Sequence, residues 1–281
     1  MRLTSVLRDM RGGFGAVVLL LAATLALGAP VFSADTGPAQ DVVATRFLPP
    51  LATDAQGSFH PLGTDRLGRD VWARLLYGAR VSLSVGVLAV VISVILGLGI
   101  GAVAGYWPRT ATGLLAVTDF ALALPRVVLL LLLAALWQPS AMLVVVVLGL
   151  TGWMPIARLV YGEVRALSVR PFVEGAVALG ARGRRILWRH LLPNALTPVI
   201  VAAALGVGNA ILLEAGLSFL GLGVQPPTPS WGSMIASGRD TIVNAPWVAA
   251  APGIMLVLVV IACTLLGDAV RDAMDPAMRG R

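Results

Sequence analysis

The chain has 281 residues, of which 58% are hydrophobic and only 12% are charged. Soluble domains carry about 25% charged residues, so this composition excludes an ordinary soluble protein and predicts an all-α integral membrane protein. The formal net charge is +7, but the arginines that produce it lie between apolar segments, so nucleic acid is not an expected partner.

All 21 basic residues are arginine. A P-loop requires a lysine that reaches the β- and γ-phosphates of the nucleotide, so the chain cannot bind ATP through a conventional P-loop. We therefore expect no cofactor on this chain, and any ATP and Mg²⁺ that drive it must be bound by a partner. The single cysteine, Cys263, excludes a disulfide within the chain, and no cluster of metal ligands is evident in the sequence.

Six apolar segments have about the 20 residues that a helix needs to cross a bilayer. They lie at residues 14–33, 79–106, 112–136, 140–160, 195–215 and 246–267. The predicted organisation is a cytoplasmic N-terminus (1–13), the first transmembrane helix (14–33), an extracytoplasmic segment (34–78), a core with five transmembrane helices (79–267) and a cytoplasmic tail (268–281). The first apolar segment also fits a secretory signal peptide, but the five later spans favour a retained helix.

The extracytoplasmic segment ends in the stretch HPLGTDRLGRD, residues 60–70. Glycine and aspartate favour turns, and Asp70 and Arg74 are spaced for an i,i+4 ion pair on a short interfacial helix. Two roles are open for this stretch. A packed, hydrogen-bonded connector is favoured over direct contact with a substrate.

The second and third spans carry small and charged residues. Gly97, Gly101 and Gly105 have the spacing that lets two helices approach closely in lipid. Asp119 and Arg126 are about two turns apart, so we expect them on one helix face, with a kink at Pro125 between them. They either line a translocation path or, in the case of Asp119, lie at the membrane interface.

Residues 161–194 form the most basic loop. Pro171 and Glu174 suit the first turn of a helix, Gly180 suits its C-terminal cap, and residues 181–192 fit a second short helix that Pro193 stops. This pair of helices is too short to span a bilayer. It either lies on lipid headgroups or docks into a soluble partner.

The loop at residues 216–245 follows the fifth span. Gly216-Leu217-Ser218 is weakly similar to a rhomboid-type nucleophile site, but a serine nucleophile needs a base within hydrogen-bond reach. The only histidines, His60 and His190, lie in other loops, so intramembrane hydrolysis is not expected. Glu214 and Asp268 lie at the ends of spans, where an interfacial position is predicted.

The arginines are distributed unequally between the two sides of the membrane. With six spans and an inside N-terminus, six arginines fall in outside loops and one, Arg126, within a span. The remaining fourteen are inside: Arg2, Arg8, Arg11, Arg109, Arg158, Arg165, Arg170, Arg182, Arg184, Arg185, Arg189, Arg271, Arg279 and Arg281. The positive-inside rule therefore predicts that both termini and the basic loop are cytoplasmic.

Three stretches together resemble the second permease subunit of the dipeptide, oligopeptide and nickel ABC importers. The first matches an HP-x-GTD-x-LGRD signature through Gly63, Thr64, Asp65, Gly68, Arg69 and Asp70. The second resembles the family's EAA loop through Glu174, Ala176, Gly180, Leu192 and Pro193, with Gly175 where the family usually has alanine. The third matches E-x-x-LSFLGLG-x-x-P-P-x-P-x-WG and includes Ser218 and Trp231.

This resemblance implies the type I importer fold, with six transmembrane helices and a cytoplasmic coupling loop. It also implies a homologous second permease, two cytoplasmic ATP-binding subunits, an extracytoplasmic binding protein and a multi-pass position in a bacterial plasma membrane. Peptides are the favoured cargo, because the spans carry few polar residues that could bind nickel. Nickel and glutathione remain alternatives within the family, and a gradient-driven carrier is an alternative outside it.

Overall fold

The computed structural model describes residues 9–33 and 42–274, so the predicted N-terminus up to residue 8, part of the extracytoplasmic segment and the end of the tail lie outside the described residues. The helices are α1 Met10–Leu27, α2 Ala29–Phe32, α3 Val42–Thr45, α4 Val71–Tyr106, α5 Pro108–Ala123, α6 Arg126–Ala135, α7 Ala141–Ser168, α8 Pro171–Ala178, α9 Gly183–Ile186, a π-helix Leu187–Leu191, α10 Leu192–Phe219, α11 Trp231–Arg239 and α12 Trp247–Met274. Two short antiparallel strands, β1 Ala52–Thr53 and β2 Phe59–His60, pair before α4.

Among the described residues, five helices are long and apolar enough to cross a membrane. They are α1, α4, α7, the continuous helix Gly183–Phe219 and α12. The bent pair α5 and α6 raises the number of spans to six if it crosses as one unit.

The predicted third span, residues 112–136, is not one helix. α5 ends at Ala123, α6 begins at Arg126, and the two helices are bent by 85°. Pro125 explains the break, because proline has no N–H to donate and disfavours a helical conformation in the residue before it. Leu124 is accordingly extended, with ψ of 134°. The expected kink is therefore a sharp corner.

α4 is longer than the predicted second span. Its 36 residues correspond to about 54 Å at 1.5 Å per residue, whereas the hydrocarbon core of a bilayer is about 30 Å thick. The short interfacial helix expected at Asp70–Arg74 is the first part of α4. Asp70 caps α4 by accepting a hydrogen bond from the backbone N–H of Ala73 at 3.0 Å.

The glycines of α4 form a close seam with α7. A Cβ on Gly97 would lie 2.6 Å from Ile156, one on Gly101 would lie 2.5 Å from the Ala157 carbonyl oxygen, and one on Gly105 would lie 2.8 Å from Val164. No side chain fits at these distances. The predicted close packing is confirmed, and the seam is internal to the chain.

Replacing Gly101 by leucine is expected to separate α4 from α7 and to cost at least about 2 kcal/mol, because overpacked contacts force backbone shifts. Gly99→Leu is the matched control on the same helix, since nothing lies within 4 Å of its Cβ position. Yield and thermal unfolding of the purified protein would measure the difference. Equal stability of the two variants would show that α4 and α7 are not closely packed at Gly101.

Most of the remaining helices pack around this pair in three large apolar clusters. One joins α1, the start of α4, α10, α11 and α12, and includes the fully buried Trp231. A second joins α4, α6, α7 and α10. A third joins α4 and α7 to α8, α9 and the π-helix. The third cluster fixes the basic loop to the membrane-spanning helices.

Candidate functional site

The basic loop begins later than the predicted residue 161, because α7 continues to Ser168. Its first helix is α8, which ends in a Schellman motif. The N–H of Ala181 donates to the Ala176 carbonyl and the N–H of Gly180 donates to the Val177 carbonyl. Gly180 has φ of +77°, a left-handed conformation that glycine adopts without steric cost. Gly180 therefore sets the angle between α8 and the helix that follows.

The second half of the loop differs from the prediction. Residues 183–219 form one continuous helix, so Pro193 does not stop a short helix. The π-helix Leu187–Leu191 precedes the proline, and the Leu192 N–H donates to the Leu187 carbonyl, five residues back. Proline is tolerated in the first turn after this change of register because its missing N–H costs little there. The loop is thus rigidly joined to a transmembrane helix.

The loop has a buried side and an exposed side. Val173, Ile186, Leu187 and Leu191 are buried and pack in the cluster with α4 and α7. Glu174 and Gly175 lie on the exposed side, with Gly180 also exposed and Ala176 half-buried. Large apolar side chains are exposed beside them: Phe172, Val177, Trp188 and Leu179, the last of which is 91% exposed.

At the N-terminal end of α4, the residues of the HPLGTDRLGRD stretch form a hydrogen-bond network. The Thr64 hydroxyl accepts from the Leu48 N–H at 2.8 Å, and the Thr64 carbonyl accepts from the Trp247 indole N–H at 3.2 Å. Gly63 has φ of +71°, and a Cβ there would lie 2.4 Å from the Leu48 carbonyl oxygen. These contacts join the connector to α12.

Asp65 is the centre of this network. Its carboxylate accepts from the Arg69 Nε at 2.7 Å and from the backbone N–H groups of Leu67 and Arg69. Arg74 Nε lies 3.7 Å from the same carboxylate. The predicted pair of Asp70 with Arg74 is therefore wrong: Asp70 is used as the helix cap, and Arg74, one turn into α4, points back to Asp65.

His60 links two further carboxylates. Its Nδ1 lies 2.8 Å from Asp70 Oδ2, and its Nε2 lies 3.4 Å from Asp54 Oδ2. The backbone N–H of Ser58 also donates to Asp54 at 2.7 Å, and this bond lowers the pKa of the Asp54 carboxyl below its usual value. Four polar side chains of the signature are thus bonded in pairs, His60 with Asp70 and Asp65 with Arg69, which supports the connector role over direct substrate contact.

Asp65→Asn is expected to lower the free energy of unfolding by about 2 kcal/mol, because it removes the counter-charge of two buried guanidinium groups. Asp240→Asn is the control, since its ion pair with Arg239 is largely exposed and such pairs contribute about 0–1 kcal/mol. Thermal unfolding followed by tryptophan fluorescence would separate them. Equal midpoints would show that the network is not structural.

The third motif contains a buried carboxylate, Glu214. Glu214 is fully buried in α10 and accepts from the hydroxyls of Ser82 at 2.8 Å and Ser218 at 2.7 Å. Each serine in turn accepts a backbone N–H, from Trp231 at 3.2 Å and from Val224 at 3.0 Å. The sequence did not predict this burial, because Ser82, on α4, is a partner that is distant in sequence.

Trp231 makes a second contact with α4 beside the Glu214 hydrogen bonds. Its indole N–H donates to the Leu75 carbonyl at 3.2 Å, and it begins α11 behind a capping box made by Ser230 and Ser233. Ser218 and Trp231 therefore hold the loop between α10 and α11 against α4. Ser218 donates its hydroxyl proton to a carboxylate and has no histidine beside it among its described contacts.

Asp119 and Arg126 do not share a helix face, because the corner at Pro125 separates them. Asp119 accepts from Arg158 Nε, on α7, at 2.7 Å in a pair that is 40–47% exposed. Arg126 instead faces a cavity between α4, α6, α7 and α10. The sequence offered no signal for Arg158 as the partner, since 39 residues separate it from Asp119.

Comparison with known proteins gives a consistent result. A family model described as "Binding-protein-dependent transport system inner membrane component" matches residues 93–280. The chain is 41% identical over 78% of its length to the dipeptide transport system permease protein DppC of Alkalihalophilus pseudofirmus, covering 73% of that protein. It is 39% identical over 94% of its length to the di/tripeptide transport system permease protein DppC of Pseudomonas aeruginosa, covering 88% of that protein.

A solved structure has the same fold. A chain of the MetNI methionine ABC transporter in an inward-facing conformation aligns with a TM-score of 0.59 at 19% identity, over 72% of this chain and 97% of that chain. At this identity the similarity shows the fold and does not identify a substrate or partners for this chain. The predicted type I importer fold is confirmed.

Proposed function

Since this chain belongs to the family of binding-protein-dependent transport system inner membrane components, we propose that it is one permease subunit of an ATP-driven peptide importer. It forms part of the path across the membrane, and it couples conformational changes of a separate ATPase to the opening and closing of that path. The chain itself binds no nucleotide, in keeping with the lack of lysine in its sequence.

The observation that carries the proposal is the projecting loop around Gly180. Phe172, Val177 and Leu179 are exposed there beside Glu174, while the opposite side of the loop is anchored in an apolar cluster. An apolar patch rimmed by charge is typical of a protein interface. We assign it to an ATP-binding subunit, which supplies ATP and Mg²⁺.

The rigid connection of this loop to α10 supports alternating access. When two ATP-binding subunits close on ATP, the loop moves with them, and the continuous helix Gly183–Phe219 carries the movement into the membrane. Such transitions are rigid-body rotations of packed elements. A homologous second permease supplies the other half of the path, and an extracytoplasmic binding protein delivers the cargo.

Peptides are the proposed cargo, because the similar permeases carry peptides according to their names. Nickel and glutathione are the alternatives within the family. The arginine distribution supports a plasma-membrane orientation with both termini in the cytoplasm.

Uptake by the complete transporter in proteoliposomes tests the proposal. Trialanine should accumulate only when ATP is supplied together with the ATPase subunits and the binding protein. A gradient-driven carrier would instead import trialanine without ATP and stop when a protonophore is added. Uptake of Ni²⁺ or glutathione in place of trialanine would replace the cargo and leave the permease role intact.

A further inference from the structure

A cavity of about 370 Å³ opens between α4, α6, α7 and α10. This volume lies within the range of small-molecule sites in proteins. Its walls are mostly apolar and small. They include Ala89, Val90, Ser93, Arg126, Leu148, Gly152, Pro155, Ile156, Leu159, Ala202, Gly206, Asn209 and Ala210.

Arg126 is the one charged residue among these described wall residues. Asp119, the acidic residue nearest to Arg126 in the sequence, is already paired with Arg158. Within the described part of the chain, the guanidinium therefore meets no counter-ion in the cavity. Arg126 is half-buried, and a charge that is partly removed from water without a partner is costly, so the arrangement favours a ligand that brings negative charge.

The Arg126 side chain also has one buried donor without a partner among the residues that the structure describes. Its Nε is buried and makes no hydrogen bond to the described residues. The Ser93 hydroxyl, in the same wall, donates to the carbonyls of Ala89 and Gly149, each at 3.0 Å, and does not accept from Arg126 Nε. The side chain passes Gly152, where a Cβ would lie 3.5 Å from Arg126 Nη2, so the missing side chain of Gly152 helps to leave the guanidinium accessible.

The corner at Pro125 places a second positive feature at the same wall. Arg126 is the first residue of α6, a helix of ten residues. The first N–H groups of a helix lack partners inside it and carry partial positive charge. They therefore add to the attraction of the guanidinium for an anion.

We propose that Arg126 binds the carboxylate of a peptide as it passes through this cavity. A guanidinium and a carboxylate form paired hydrogen bonds, and the apolar walls accept the side chains of the peptide with little specificity. This inference rests on the proposed function, because it assumes peptide cargo, and it assigns the C-terminal carboxylate as the group that the permease recognises.

The test compares trialanine with trialanine amide, which lacks the carboxylate. In proteoliposomes with the complete transporter, Arg126→Gln should reduce trialanine uptake by about tenfold or more, as expected when one partner of a charge pair inside the cavity is removed. Arg126→Lys should restore part of the uptake. Arg239→Gln, which removes an exposed arginine, should leave uptake unchanged.

Equilibrium binding to the permease complex without the binding protein removes that protein's own preference from the result. The wild-type complex should bind trialanine at least tenfold more tightly than the amide, and Arg126→Gln should bind both equally weakly. The proposal would be overturned if Arg126→Gln lowered the affinity for trialanine and for the amide by the same factor. It would also be overturned if the wild type bound the two ligands with equal affinity. Failure of the wild type to import trialanine, with carboxylate-dependent binding retained, would instead contradict the proposed transport function.

Discussion

Gly180→Val is expected to abolish peptide uptake while the protein still inserts into the membrane. Gly180 has φ of +77°, and a left-handed conformation costs an L-residue about 1–2 kcal/mol, more for a β-branched one. The Schellman motif would rearrange, and α8 would leave the angle at which its exposed side meets the proposed ATPase subunit. The measurement is peptide-stimulated ATP hydrolysis and trialanine uptake by the reconstituted transporter.

Gly175→Ala is the matched control for this prediction. Gly175 lies inside α8, and nothing lies within 4 Å of its Cβ position, as is also true of Gly180. Alanine should stabilise the helix by up to about 1 kcal/mol and leave uptake intact. Normal stimulation of ATP hydrolysis in Gly180→Val would show that the loop does not transmit the ATPase cycle.

Glu214→Leu should give the largest loss of stability, on the order of 3 kcal/mol. Each of two buried serine hydroxyls would lose its acceptor, and an unsatisfied buried group costs about 1–3 kcal/mol. The loop between α10 and α11 would lose its attachment to α4. Thermal unfolding and the yield of monodisperse protein would report the change.

Glu214→Gln keeps the shape of the side chain and one carbonyl oxygen that can accept from a serine. It should therefore recover at least half of the lost stability. If leucine were tolerated as well as glutamine, the hydrogen bonds of Glu214 would not hold this region together.

Local chemistry explains which features were predictable from the sequence. Composition and segment length identify the membrane class, and the glycine spacing of α4 predicts its close contact with α7. Pro171 and Gly180 mark the two ends of α8 because each has a strong local preference. The three motifs identify the family because they are read directly from the residues.

The missed features depend on distant partners or on the competition between local effects. Ser82 and Glu214 are 132 residues apart, and no local pattern predicts that pair. Pro193 is a strong local signal for a helix end, but the preceding π-helix changes the register and the helix continues. Pro125 has a larger effect than predicted, because Leu124 and Pro125 are both extended, with ψ of 134° and 108°, and the helix breaks where only a kink was expected.

The uninterrupted length of α4 has a mechanical consequence. α7, α10 and α12 each contain an internal proline, whereas α4 has none. Its first turn is fastened by Asp70 and Arg74, and near its other end Tyr106 touches the start of α9, where a Cβ on Gly183 would lie 2.9 Å from the Tyr106 hydroxyl. α4 is thus a stiff rod that joins the HPLGTDRLGRD connector to the basic loop, and a displacement at one end of the rod reaches the other without a hinge to absorb it.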